Sequence, residues 1–124
     1  MKVESYENLV VWQKAIDLVA SIYDLTKKFP KDEMFGLVSQ MKRSAVSIPS
    51  NIAEGSRRGS KKDFRHFLIN SFGSGAELET QLKIGKRLKF ADENDYINSE
   101  GLLNEVMRML NKMIYGLNNL QTTH

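Results

Sequence analysis

The 124-residue chain has no cysteine, two prolines, two histidines and one tryptophan. The first absence excludes disulfides and thiolate metal sites. His66 stands far from His124, the last residue, so a histidine-based metal centre is not expected. No apolar run approaches the roughly 18 residues of a membrane span, and the opening MKVESYENL has no apolar signal core. The expectation is a cytoplasmic protein. Strands are missing too, since nothing alternates with period two and β-branched residues do not cluster.

The usual catalytic arrangements are equally scarce. GSGAEL breaks the dinucleotide pattern GxGxxG at Leu78 and follows no strand, and GSRRGSKK lacks the GxxxxGK[ST] spacing of a phosphate loop. Glu77 and Glu79 lie two apart on a helix, so their carboxylates diverge. The Glu-x-x-His pairs of a di-iron bundle do not occur. With no convergent acid, base or nucleophile, a non-enzyme without metal or cofactor is expected.

What the chain does have is helical periodicity, centred on Arg43–Arg58, RSAVSIPSNIAEGSRR. No charge falls between Arg43 and Glu54, and Val46, Ile48, Ile52 and Ala53 alternate with Ser44, Ser47, Ser50 and Asn51. An uncharged run with this spacing predicts a helix buried on most of its circumference. Pro49 removes the hydrogen bond to the Ala45 carbonyl. The spacing Met34, Leu37/Val38, Met41, Ala45, Ile48, Ile52 keeps its phase across the proline, which predicts a kinked helix rather than a broken one. Gly55 is expected to stop it, and Glu54, at the unfavourable C-terminal end, to take Arg43 or Arg58 as a neighbour.

On either side the same period recurs. Ser5 can cap a first helix from Leu9 to Phe29, which Pro30 ends. Its apolar pairs Val11/Trp12, Ala15/Ile16, Leu18/Val19 and Ile22/Tyr23 make an arc wide enough for two neighbours or another subunit, with Trp12 as core or interface anchor. The second helix should begin near Lys31 or Asp32. The third follows Ser60, which with Asp63 resembles a capping box. It places Phe64, Phe67/Leu68, Ser71, Gly75, Leu78, Leu82 and Gly85 on the core and Arg65, Ile69, Phe72, Ala76 and Glu79 on a second, partly apolar stripe. That second stripe fits an oligomer. Gly73 and Gly75 cost about 1 kcal/mol each in mid-helix, which close approach of another helix would justify. Asp92 with Asp95 marks a fourth helix along Tyr96, Leu103, Val106, Leu110, Met113, Leu117 and Leu120, fraying from about residue 119. The fold class is all-α, an antiparallel up-down-up-down four-helix bundle in one domain, its second helix kinked at Pro49.

Charge is unevenly placed. Residues 42–66 carry seven Lys/Arg against two Asp/Glu, while the segments before and after are slightly acidic. The seven are Lys42, Arg43, Arg57, Arg58, Lys61, Lys62 and Arg65, and they form either a solvated face or a polyanion-binding patch. Arg57, Arg58, Lys61 and Lys62 should cluster around a turn where helix-start N–H groups also favour phosphate. Such a set grips the nucleic-acid backbone rather than reading bases. Lys42 and Arg43 lie several turns earlier. Arg43 is equally a candidate buried partner for Glu77 or Glu54.

The segments LVVWQKAIDLV, LTKKFPKDEMFGLVSQMKRSAVSIPSNIAEGSRRGSKKDFRHFL and GSGAELETQL closely resemble the S23 family, four-helix-bundle proteins encoded within intervening sequences of bacterial 23S ribosomal RNA. The resemblance runs from about Tyr6 to Leu120. It implies a helical bundle that assembles as a homopentameric ring with basic residues facing a central channel. It also implies similarity to accessory proteins of diversity-generating retroelements, which bind a reverse transcriptase and nucleic acid. The expected partners are therefore copies of the chain itself, through Trp12, Ile69, Phe72 and Ala76, and RNA or DNA through the seven basic residues. The alternative is a protein-binding scaffold or accessory subunit.

Overall fold

Helix α1 begins one residue later than the Leu9 expected, because the chain first makes a 3-10 turn. The computed structural model describes residues 5–121, with side chains through Leu117. Ser5 caps the turn Tyr6–Asn8, accepting from the Glu7 N–H, and α1 then spans Val10–Thr26. It closes earlier than the Phe29 expected. Thr26 returns its hydroxyl to the Ile22 carbonyl, and Phe29 N–H bonds to Thr26 in a turn ahead of Pro30.

Helix α2 spans Leu37–Ser56, starting later than Lys31 or Asp32. Lys31–Glu33 form a separate 3-10 turn instead. Met34, expected on the core face, is therefore 55% exposed, and Phe35 beside it is 92% exposed. Past that point the pattern holds: Leu37, Val38, Met41, Ala45, Ile48 and Ile52 are all buried, and α2 runs through Pro49 without interruption. Around the proline, Ser50 and Asn51 donate side-chain hydrogen bonds to the Val46 and Ser47 carbonyls at 2.8 and 2.9 Å. Gly55 does not end the helix. It is a buried contact point, where a Cβ would lie 2.6 Å from the Cβ of Phe67.

Helix α3 spans Lys61–Arg87 and α4 Ile97–Gln121, with a 3-10 turn at Glu93–Tyr96 between them. The Ser60 hydroxyl accepts from the Asp63 N–H, making the expected cap. Lys89 and Ala91 both take positive φ, at 62° and 63°, in the α3–α4 connection. The backbone of α4 stays helical to Gln121; residues 122–124 of the expected frayed tail lie outside the described residues.

Each helix packs on the next, and α1 closes the circle on α4, so α1/α2 and α3/α4 form opposite faces of a four-helix bundle. One core joins all four, with Leu18, Ile22, Met41, Ile48, Ile52, Leu68, Leu78, Val106 and Leu110 fully buried. Each contributes roughly 1.5–3 kcal/mol relative to exposure. Small polar residues tighten two seams. Ser71 donates to the Ile48 carbonyl at 2.9 Å and Ser47 bonds Ser74 at 2.9 Å between α2 and α3, while Ser21 and Ser99 meet at 2.6 Å between α1 and α4. The two mid-helix glycines differ. A Cβ at Gly75 would run into the Met107 sulfur, whereas one at Gly73 would meet nothing within 4 Å, so helix approach within the bundle accounts for Gly75 alone.

Candidate nucleic-acid interface

Helix α2 finishes at the end of the bundle where α1 begins and α4 finishes. Gly59 turns the chain there with φ 86°, and Ser60 starts α3. The turn places Arg57, Arg58, Lys61 and Lys62 within six residues, all of them exposed. Arg58 bonds Glu54 at 2.8 Å, which settles which arginine that carboxylate takes, and its guanidinium also lies 4.9 Å from the Phe67 ring centroid. Among the described residues, Arg57, Lys61 and Lys62 have no carboxylate at ion-pair distance. The first N–H groups of α3 add partial positive charge at the same place. An anion arriving here meets four exposed cations, one of them already paired with a carboxylate.

The remaining three basic candidates are elsewhere. Arg43 is fourteen residues before Arg57 on the same helix, about 20 Å along its axis at 1.5 Å per residue. It is exposed, beside Gln40, Ser47, Glu77 and Gln81 in the α2/α3 groove, and pairs with neither Glu77 nor Glu54. The buried-partner reading of Arg43 is thereby overturned: its side chain reaches water, and Arg58 occupies Glu54. Lys42 leans the other way, its ammonium 4.6 Å from the Tyr23 ring of α1. Arg65 is half-buried and donates its Nε–H to the Ile114 carbonyl at 3.2 Å, tying α3 to α4.

The four proposed assembly residues divide between opposite faces. Ile69 and Phe72 share a groove of about 300 Å³ with Arg65, Ile114 and Tyr115, with Ala76 exposed a turn along α3. Trp12 lies on the α1/α2 side in an apolar groove of about 280 Å³ with Ile16, Val19, Val46, Pro49 and Ala53. The wide arc of α1 is thus half used: Val11, Ala15, Leu18 and Ile22 are core, while Ile16 and Tyr23 remain about 40% exposed.

One neighbour of the basic turn was not legible in the spacing. Tyr6 meets Trp12 edge-on at 5.3 Å, and the Arg57 guanidinium lies 5.5 Å from the Tyr6 ring centroid. The contact joins residues 51 apart, and the only sequence cue was an aromatic residue behind a capping serine.

Among the described residues, no three of His, Asp and Glu lie close enough to hold a metal ion, and no helix is long and apolar enough to cross a membrane. No curated protein matches the chain. A crystal structure of a protein of unknown function from the S23 ribosomal protein family of Bacteroides thetaiotaomicron superposes with a TM-score of 0.78 at 25% identity. The match covers 85% of this chain and 98% of that one. Residues 7–112 match the family described as 23S rRNA-intervening sequence protein. With most of its length matched and a neighbour of the same family sharing its bundle, the chain belongs to the 23S rRNA-intervening sequence protein family.

Proposed function

We propose that this chain is a non-catalytic, cytoplasmic nucleic-acid-binding protein that holds backbone phosphates through Arg57, Arg58, Lys61 and Lys62. The observation that carries the reading is the turn itself: four exposed cations within six residues, one ion pair among them, at the N-terminus of a long helix. The family's name ties it to intervening sequences of 23S rRNA, which makes RNA the nearest polyanion at hand. Arg43 lies too far along α2 to join this cluster within one copy, and contributes where copies assemble.

Assembly is the second part of the proposal. The apolar grooves around Trp12 and around Ile69 and Phe72 lie on opposite faces. Contact of unlike faces, repeated, generates a ring when the rotation closes. A homopentamer is the form expected, with Ala76 and the open side of Gly73 at the contact.

Fluorescence anisotropy with labelled RNA and DNA, on protein whose mass is fixed by light scattering, tests both parts. The expected result is an oligomer whose affinity falls with salt with a slope reduced by about three when all four turn cations are changed to alanine. An intact oligomer that binds neither polymer at low salt overturns the phosphate reading. Co-purification of one stoichiometric protein after nuclease treatment would then favour a scaffold or accessory subunit, for example for a reverse transcriptase.

A further inference from the structure

The basic turn has an aromatic companion whose placement bears on the form of nucleic acid it takes. Tyr6 is carried on a braced turn: the Ser5 hydroxyl accepts from the Glu7 N–H at 3.1 Å, and the Gln13 side chain donates to the Glu7 carbonyl at 2.9 Å. Trp12 packs against the ring at 65°, fixing its tilt. Over the ring lies the exposed guanidinium of Arg57, which has no carboxylate partner among the described residues. A planar cation held over a tyrosine keeps its own flat surface available to an unpaired base, and Arg58, Lys61 and Lys62 follow within five residues of it.

We infer that the ligand is a single strand, one of whose unpaired bases stacks at the Tyr6–Arg57 pair while the turn holds the flanking phosphates. The inference rests on the phosphate reading above and sharpens it. Phosphate contacts alone give no reason to prefer a strand, because a duplex presents the same charged groups at higher density. Stacking requires a base outside a helix, since paired bases have their faces covered by their neighbours. Every base has such a face, so the preference is for strandedness and not for sequence.

The test compares three labelled probes on the full chain: a single strand, the same sequence as a duplex, and a strand of equal length with abasic sites. The abasic strand keeps the phosphates and lacks the stacking surface. Wild-type protein is expected to bind the single strand roughly five- to a hundredfold more tightly than the abasic strand. Tyr6→Phe should keep that ratio and Tyr6→Leu, which retains an apolar contact for Trp12, should bring it close to one. Equal binding of all three probes, still dependent on the turn cations, overturns the stacking inference and leaves phosphate binding standing. Failure to bind any probe at low salt overturns both. If Tyr6→Leu changes the oligomeric mass by light scattering, Tyr6 belongs to assembly and the inference fails on that ground.

Discussion

The two ends of the bundle carry similar numbers of cations and use them differently. At the end where α1 gives way to α2 and α3 to α4, residues 27–36 and 86–96 hold six Lys/Arg against five Asp/Glu. There Lys28 meets Asp95 at 2.5 Å and Lys86 meets Glu100 at 3.2 Å, above a cluster of Phe29, Phe90 and Tyr96. At the opposite end, residues 57–65 hold five cations against one carboxylate, Asp63. The first end joins loops with its charges. The second, where Arg58 takes Glu54 and Arg65 the Ile114 carbonyl, leaves Arg57, Lys61 and Lys62 with no carboxylate at ion-pair distance among the described residues. A protein gains little from concentrating like charge unless a partner offsets the repulsion.

The largest expected effect lies at the neutralised end. Tyr96 is 1% exposed and donates its hydroxyl to the Phe90 carbonyl. Tyr96→Ala should remove about 3–5 kcal/mol of stability, measured by denaturant unfolding, with nucleic-acid binding unchanged where the variant is folded. Loss of binding by folded protein would merge two ends that this account separates. Gly55→Ala, on the seam that seats the basic turn, should cost about 1–3 kcal/mol because the new methyl meets the Cβ of Phe67, an atom too close to the backbone to swing away. An unchanged melting curve would contradict that close approach.

The neutralised end also has a pH signature. Burial first, and the carboxylates of Glu100, Asp95 and Glu93 after it, push the Tyr96 phenol up to about 12. The folded chain therefore holds this proton more tightly than the unfolded chain. The contribution is complete below the ordinary phenol range and is lost as pH rises through about 12. In an alkaline titration, one of the four tyrosines should ionise last, together with loss of helical circular dichroism. Ionisation of all four while the helices persist would count against it. Asp95 behaves in the opposite sense. Its carboxyl lies below the usual range, first through the hydrogen bond from Lys28 and then through the Asp92 N–H, so its contribution is lost only as pH falls through that lowered value.

The smallest effect tests a face rather than an end. A Cβ at Gly73 meets open space within the bundle, so Gly73→Ala should stabilise an isolated chain by about 1 kcal/mol. If it instead lowers the oligomeric mass, Gly73 marks a closely packed contact between copies.

Much of the fold is legible in periodicity because the core is built from three- and four-residue steps. Phe64, Leu68, Ser71, Gly75, Leu78, Leu82 and Gly85 are buried as the pattern of α3 requires. The pattern misleads at Met34, where the period continues through a 3-10 turn that rotates the side chain out of register. The charge excess points to the basic turn, yet spacing alone cannot show that Arg65 is tied to the Ile114 carbonyl or that Lys42 lies over Tyr23, since each partner is on another helix. Tyr6 is missed for the same reason.

A matched pair of charge variants tests the contrast between the ends most directly. One replaces Arg57, Arg58, Lys61 and Lys62 with alanine; the other replaces Lys27, Lys31, Arg87 and Lys89, leaving equal net charge. Their affinities for a labelled single strand are measured at the same low salt. The account predicts that the first variant loses binding by a factor of a hundred or more, on the order expected for about three to four lost phosphate contacts, and that the second stays near wild type. Equal losses in the two would make binding a property of total charge and contradict a site at the basic turn.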